Sequence, residues 1–242
     1  MTKHLITVAL AGLAAVVAAC GGSGPGDDVT RVAPLASADE ATSLQQELVS
    51  VVKSVSPSVV QIRTPQDLGS GVVFDARGDI VTNAHVVGNA TRFVVTLASG
   101  ESHPATAIGR DAATDLAVIR IVGARPRAAT FADSSQVDVG DIVLALGNPL
   151  GLRSSVTEGI VSAVGRSVPE GDGVTISSAI QTSAAINPGN SGGALVDLSG
   201  RVIGIPTLAA LDPQMGASEA PGIGFAIDAN TVRRVAGALA RR

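Results

Sequence analysis

Cysteine occurs once in this 242-residue chain, at Cys20, so no disulfide within the chain can hold the fold together. Trp and Tyr are absent, and aromatic residues make up only 2%: Phe74, Phe93, Phe131 and Phe225. The 45% of hydrophobic residues must therefore pack as Val, Ile, Leu and Ala, which is sufficient in a chain of this length for a substantial core. Neither sign of charge dominates, with 17 Lys and Arg against 21 Asp and Glu. The formal net charge is −4 with no basic run, which argues against nucleic acid as a partner. With three histidines and one cysteine there is no Cys/His cluster to hold a metal, and neither a metal nor an organic cofactor is expected. The longest apolar run, Leu5 to Val17, is short for a membrane-spanning helix, which needs about 20 residues.

What is present at the N-terminus has a different use. Lys3 is followed by that apolar run and then by small residues, the layout of a secretory signal peptide over residues 1–19. Val17-Ala18-Ala19-Cys20 resembles the bacterial lipobox, whose cysteine becomes the lipidated, palmitate-bearing first residue of the mature protein. The expectation is a lipoprotein on the extracytoplasmic face of a bacterial cell membrane, anchored without a spanning segment. The plainer alternative is an ordinary cleaved signal peptide and an incidental thiol. Gly21 to Gly26 is glycine-rich, and residues 20–38 read as a flexible tether.

From Asp39 the pattern changes. Leu44, Leu48, Val51, Val52 and Val55 recur at helical spacing before Pro57, predicting a docking helix over 39–57. Short β-branched runs separated by Gly and turn residues follow: Val59–Ile62, Gly71–Phe74, Ile80–Thr82, Arg92–Leu97, Leu116–Ile121, Ile142–Leu146, Val156–Val164, Val174–Gln181, Ala194–Val196, Val202–Ile205 and Ile223–Ile227. Their spacing predicts an all-β fold of the barrel or sandwich kind rather than βα units. A helix over 229–242, with Asp228 or Asn230 as cap and Val232, Val235, Ala236 and Leu239 on its buried face, ends the chain.

Gly189-Asn190-Ser191-Gly192-Gly193 is the sharpest local signal. Glycines around a serine permit a tight turn that exposes the hydroxyl and gathers successive N–H groups into one small space. A plain glycine-rich hairpin loop is the bland reading. The pentapeptide also fits the G-x-S-x-G elbow of α/β-hydrolases, but those place their histidine after the serine. Here His4, His85 and His103 all precede Ser191. The available order is His–Asp–Ser, that of the chymotrypsin-type site. His4 lies in the signal peptide, and His103 beside Pro104 reads as a solvated loop residue. His85 lies where a strand ends and the chain bends, a good place for a fixed base. Asp115, at the edge of the apolar run Leu116–Ile121, is the favoured carboxylate, with Asp111 and Asp75 as rivals among turn residues.

Thr82-Asn83-Ala84-His85-Val86-Val87, Thr114-Asp115-Leu116-Ala117 and Asn187-Pro188-Gly189-Asn190-Ser191-Gly192-Gly193-Ala194-Leu195 resemble the motifs of HtrA/Deg-type serine proteases. Gly69-Ser70-Gly71-Val72-Val73, Gly147-Asn148-Pro149, Gln181 to Ile186 and Gly222 to Ile227 match in the same order, from about Val59 to about Asn230. The resemblance implies a trypsin-like domain over 39–242, built of two six-stranded antiparallel β-barrels (about 58–135 and about 136–228), with the site in the cleft between them. It assigns His85, Asp115 and Ser191 as the catalytic residues, and the N–H groups of Gly189 and Ser191 as the oxyanion hole. Ala185, Ile186 and Ile205 would line the substrate pocket; none is charged, so a small or medium aliphatic side chain is expected there. The implied function is an endopeptidase acting on misfolded or exported proteins. A latent or non-catalytic chaperone-like role is the alternative, and an esterase shares the nucleophile chemistry.

Three features depart from the family. No PDZ domain is expected between the last strand and Arg242. Pro206 stands in the strand that should pair with substrate backbone, where it removes one N–H. The loop from Thr64 to Leu68 is short, which leaves the homo-oligomer common in the family, a trimer, as an open expectation.

Overall fold

A computed structural model describes residues 38–65, 67–148, 155–171, 174–187, 189–212 and 218–241. The expected signal peptide, Cys20 and most of the tether lie outside the described residues.

Among the described residues, twelve strands form two closed antiparallel barrels. The first holds β1 (Val59–Arg63), β2 (Leu68–Val73), β3 (Asp79–Asn83), β4 (Arg92–Thr96), β5 (Ser102–Asp111) and β6 (Leu116–Ile121). The second holds β7 (Ile142–Gly147), β8 (Ser155–Gly171), β9 (Val174–Thr182), β10 (Ala194–Asp197), β11 (Val202–Asp212) and β12 (Ser218–Asp228). Around the first barrel the order is β1-β2-β3-β6-β5-β4, and around the second β7-β8-β9-β12-β11-β10. The two halves repeat one topology although no repeat is visible in the sequence.

Strand alternation explains why the barrels can pack against each other. Successive side chains point to opposite faces, so one strand can supply two cores. Ala117 and Ile119 of β6 join Val60, Ile62, Ile80 and Phe93 inside the first barrel. Val143 and Ala145 of β7 join Val161, Ile180, Leu195 and Ile203 inside the second. The alternate residues, Leu116 and Val118 on β6 and Leu144 and Leu146 on β7, meet in a third core with Val59, Val81, Ile205 and Ile227. That is why Leu116-Ala117-Val118-Ile119 reads as an unbroken apolar run: both of its faces are buried. Each buried Val, Leu or Ile among them contributes roughly 1.5–3 kcal/mol.

Among its described side chains, helix α1 (Ala38–Val55) docks by its C-terminal half. Val51 and Val55 are buried and Leu48 and Val52 pack beside them, whereas Leu44 remains 40% exposed. A 3-10 turn, Ser56–Ser58, follows with Pro57 inside it. After the four-residue α2 (Ala84–Val87), the third helix is α3 (Ala229–Leu239). Asp228 caps α3 by accepting from the Asn230 and Thr231 N–H groups, and Val232, Val235, Ala236 and Leu239 form its buried face.

One sequence expectation is corrected. His103, read as a solvated loop residue, lies on β5 opposite Val95 of β4. Pro104 and Gly109 break the alternation that would have revealed this strand, and Pro104 is accommodated opposite Val94 while the β5–β6 register shifts at Gly109.

Candidate active site

The β3–β6 pairing builds the first half of the site. Asn83 at the end of β3 faces Leu116 at the start of β6, which brings the chain at Ala84 and His85 beside Asp115. Ala84 N–H donates to the Asp115 carbonyl at 3.0 Å and the Asn83 Nδ2 to the same oxygen at 3.3 Å. Asp115 closes a 3-10 turn, Ala112–Thr114, in the left-handed region at φ 50°, a conformation Asp tolerates better than most residues. This turn aims its carboxylate back at α2.

Both carboxylate oxygens are used on His85. Oδ1 accepts the His85 backbone N–H at 2.9 Å and Oδ2 lies 2.8 Å from Nδ1. An ionised carboxylate only accepts, so Nδ1 is the donor to it, and in the neutral ring Nε2 then keeps its lone pair. The Asp115 side chain is 7% exposed and the imidazole 48% exposed, so a shielded carboxylate orients a ring open to solvent.

The second half comes from the turn before β10. The Asn190 N–H donates to the Asn187 carbonyl, and the Gly193 N–H to the Asn190 carbonyl, both at 2.9 Å. Because a trans peptide places N–H and C=O on opposite sides, the Ser191 N–H points away from the Gly193 bond. Gly192 has φ +77°, and a Cβ there would sit 2.4 Å from both the Ser70 carbonyl oxygen and Thr82 Oγ1, so only glycine passes. Asn190 stitches the approach to this turn, with Nδ2 donating to the Ala185 carbonyl and Oδ1 accepting the Asn187 N–H.

Thr207 ties the halves together and was not anticipated from the sequence. Its Oγ1 donates to Asp115 Oδ2 at 2.7 Å, and its carbonyl accepts from Ser191 Oγ at 3.3 Å. The signal that could have found it is the hydroxyl directly after Pro206, on the strand expected to border the cleft. Pro206 itself directs its carbonyl to the Gly192 N–H at 2.9 Å. In an extended strand a residue's N–H and C=O face the same side, so the donor proline lacks faces the serine turn and not the cleft.

The three expected pocket residues fall in different environments. Ala185 is exposed. Ile186 is buried and lies over Gly224, where a Cβ would come within 2.3 Å of Ile186 Cγ1. Ile205 is fully enclosed in the core between the barrels, opposite Ile227, so the cleft edge there is main chain. On the other side of His85 a hollow of about 420 Å³ opens, bordered by Thr64, Pro65, Asp67 and the residues after His85. The Thr64–Asp67 connection is a tight turn, closed by Thr64 N–H to the Asp67 carbonyl and Asp67 N–H to Thr64 Oγ1.

Comparison with known proteins places the chain. Residues 69–205 match the trypsin-like peptidase domain family. The periplasmic serine endoprotease DegP of Escherichia coli K12 is 49% identical over 170 residues, covering 69% of this chain and 35% of that protein. The serine protease Do-like HtrA of Lactococcus lactis is 43% identical over 173 residues, covering 68% of this chain and 42% of its own. The chain thus spans between about a third and two fifths of the length of these relatives. The solved HtrA-type protease AlgW with a tripeptide superimposes with a TM-score of 0.71 at 40% identity, covering 79% of this chain and 62% of that one. With two trypsin-like barrels and this extent of matching sequence, the chain belongs to the HtrA-type, trypsin-fold serine proteases.

Proposed function

We propose that the chain is an extracytoplasmic serine endopeptidase that cleaves unfolded or exported proteins through an acyl-enzyme. The observation that carries this reading is the double hold of Asp115 on His85, through the backbone N–H and through Nδ1. In the neutral ring it leaves Nε2, on a half-exposed imidazole, as the acceptor for the Ser191 proton.

His85 Nε2 takes the Ser191 proton as Oγ attacks the peptide carbonyl carbon. Asp115 stabilises the imidazolium that forms, and His85 then returns the proton to the leaving amine. Water repeats the cycle on the acyl-enzyme. The Gly189 and Ser191 N–H groups bind the oxyanion; losing one such donor costs about 3 kcal/mol of transition-state stabilisation. The Thr207 carbonyl, one residue past Pro206, is the acceptor for substrate main chain, released by the serine hydroxyl as substrate arrives. Ile186 over Gly224 limits the depth available to the residue before the scissile bond, which supports a small or medium aliphatic preference.

Cys20 carries the lipid and holds the enzyme at the outer face of the cell membrane. The lipobox-like residues support this, as do relatives named periplasmic. Incorporation of labelled palmitate, lost in Cys20→Ala, is the check; equal labelling of both would refute the anchor.

The central test is casein cleavage by the full chain in mild detergent, beside Ser191→Ala. Cleavage lost only in the variant establishes peptidase and nucleophile together. Labelling of Ser191 by a fluorophosphonate without casein cleavage identifies a latent form instead. Neither cleavage nor labelling removes the catalytic reading in favour of a binding role.

A further inference from the structure

Ser70 on β2 is fully buried, and every polar group it has is engaged at the serine turn or beside it. Its N–H donates to the Ser191 carbonyl at 3.1 Å. Its carbonyl accepts from Thr82 Oγ1 at 2.7 Å. Its hydroxyl stands between two groups with opposite needs: the Asn148 N–H, which can only donate, lies at 2.8 Å, and the Gly189 carbonyl, which can only accept, at 2.7 Å. The hydroxyl therefore has one arrangement, accepting from Asn148 and donating to Gly189.

The Gly189 carbonyl belongs to the same peptide unit as the Asn190 N–H. That unit is clamped at both ends, by Ser70 Oγ on the oxygen and by the Asn187 carbonyl on the nitrogen. This plane lies between the two amides assigned to the oxyanion, and its two flanking torsions, ψ of Gly189 and φ of Asn190, are two of the four that relate them. The next peptide is held by Gly193, and the one after that by Ser70 N–H and the Pro206 carbonyl. Gly147, next to Asn148, lies so close that a Cβ there would come within 2.5 Å of the Gly189 oxygen, so the turn has no slack on that side.

We propose that Ser70 is a positioning residue for the oxyanion site: its hydroxyl passes a hydrogen bond from the Asn148 amide to the Gly189 carbonyl and locks the Gly189–Asn190 peptide in the orientation that presents the Gly189 and Ser191 amides together. This rests on the endopeptidase reading above for its consequence in rate, but not for the clamp itself. Ser70 touches neither His85 nor Asp115 in this arrangement, so its loss leaves the base intact and misaligns the donors. Without the hydroxyl, the Gly189 oxygen and the Asn148 N–H lose their partners together, and the peptide is held only at its other end, through the Asn190 N–H.

Ser70→Ala is tested by amide hydrogen exchange followed by NMR, and by hydrolysis of a peptide substrate. The expected result is exchange at Asn190 at least about tenfold faster, and kcat about a hundredfold lower with KM within about twofold, the loss typical of one misplaced oxyanion donor. The pH profile of the residual activity keeps the shape of the unmutated enzyme's. Unchanged Asn190 exchange overturns the clamp whether or not the protein turns over substrate. Faster exchange with unchanged kcat overturns the positioning role. An unmutated chain that neither cleaves nor takes a fluorophosphonate defeats the endopeptidase reading, and the exchange result still decides the clamp. Should the variant fail to fold, the unmutated protein answers: a slowly exchanging Ser70 hydroxyl proton, with a nuclear Overhauser contact to the Asn148 amide proton, is expected, and a rapidly exchanging one refutes the relay.

Discussion

Thr207 Oγ1 donates to Asp115 Oδ2 across the junction of the two barrels at 2.7 Å, on the oxygen that also meets His85 Nδ1 at 2.8 Å. The orienting carboxylate is thus held from the first barrel by its own turn and from the second by a threonine. A hydrogen bond to a charged group is worth about 1.5–3 kcal/mol, and its loss should appear in catalysis because Asp115 is more heavily charged-coupled once His85 is protonated.

Thr207→Ala is therefore expected to lower kcat/KM about tenfold to a hundredfold, at about 1.4 kcal/mol per factor of ten. Thr207→Ser, which keeps the hydroxyl, should stay within a few fold of the parent. Steady-state hydrolysis of one peptide substrate by the three proteins checks this, and equal losses in both variants would point to lost methyl packing instead.

Gly192→Ala tests the fit of the serine turn against the first barrel. Positive φ disfavours any side chain, and the new methyl would enter the space of the Ser70 carbonyl and Thr82 Oγ1. A stability loss of at least about 2 kcal/mol, with activity below detection, is expected from overpacking and backbone strain combined. Urea unfolding gives the first quantity and casein cleavage the second.

How much of this was legible in the residues differs between fold and site. His85, Asp115 and Ser191 could be proposed because acyl transfer calls for those residue types and because their order and surrounding motifs resemble those of HtrA/Deg-type proteases. Ser70 could not, because a hydroxyl carries no mark of its partner, here 119 residues away, and Thr207, 92 residues from Asp115, is marked only by following Pro206 on the strand expected to border the cleft. Strands such as β3, β6 and β7 announced themselves through apolar runs whose two faces are both buried. β5 did not, since Pro104 and Gly109 interrupt it. The apolar spacing of α1 was visible, but not that only its second half meets the body, since spacing does not say where the body ends.

That division of α1 gives a direct contrast. Val55 is buried against the core between the barrels, so Val55→Ala should cost about 2 kcal/mol from lost transfer energy and the cavity left behind. Leu44 is 40% exposed, and Leu44→Ala should change stability by less than about 0.5 kcal/mol. Urea midpoints at a common slope distinguish the two outcomes, and equal losses would mean that the N-terminal half of the helix is covered in solution.

Asp133 makes a prediction about acid. Its carboxylate is held at a pKa of about 2 by the Asn230 side chain, the Ser135 hydroxyl and the Ser135 N–H, with Arg233 adding charge. The Asn230 bond, at 2.7 Å, ties the 3-10 turn before β7 to the first turn of α3. A depressed folded pKa stabilises the native state above the unfolded value of 3.8, and that stability is lost as pH falls through about 2. Asp133→Asn should accordingly flatten the dependence of stability on pH between about 4 and 2 while leaving the slope at higher pH unchanged. Because the group is exposed, added salt should weaken the Arg233 part of the effect and spare the hydrogen-bonded part. Thermal unfolding of parent and variant across that acid range, at low and high ionic strength, measures both; parallel curves at every pH would show that Asp133 titrates alike in the folded and unfolded chain.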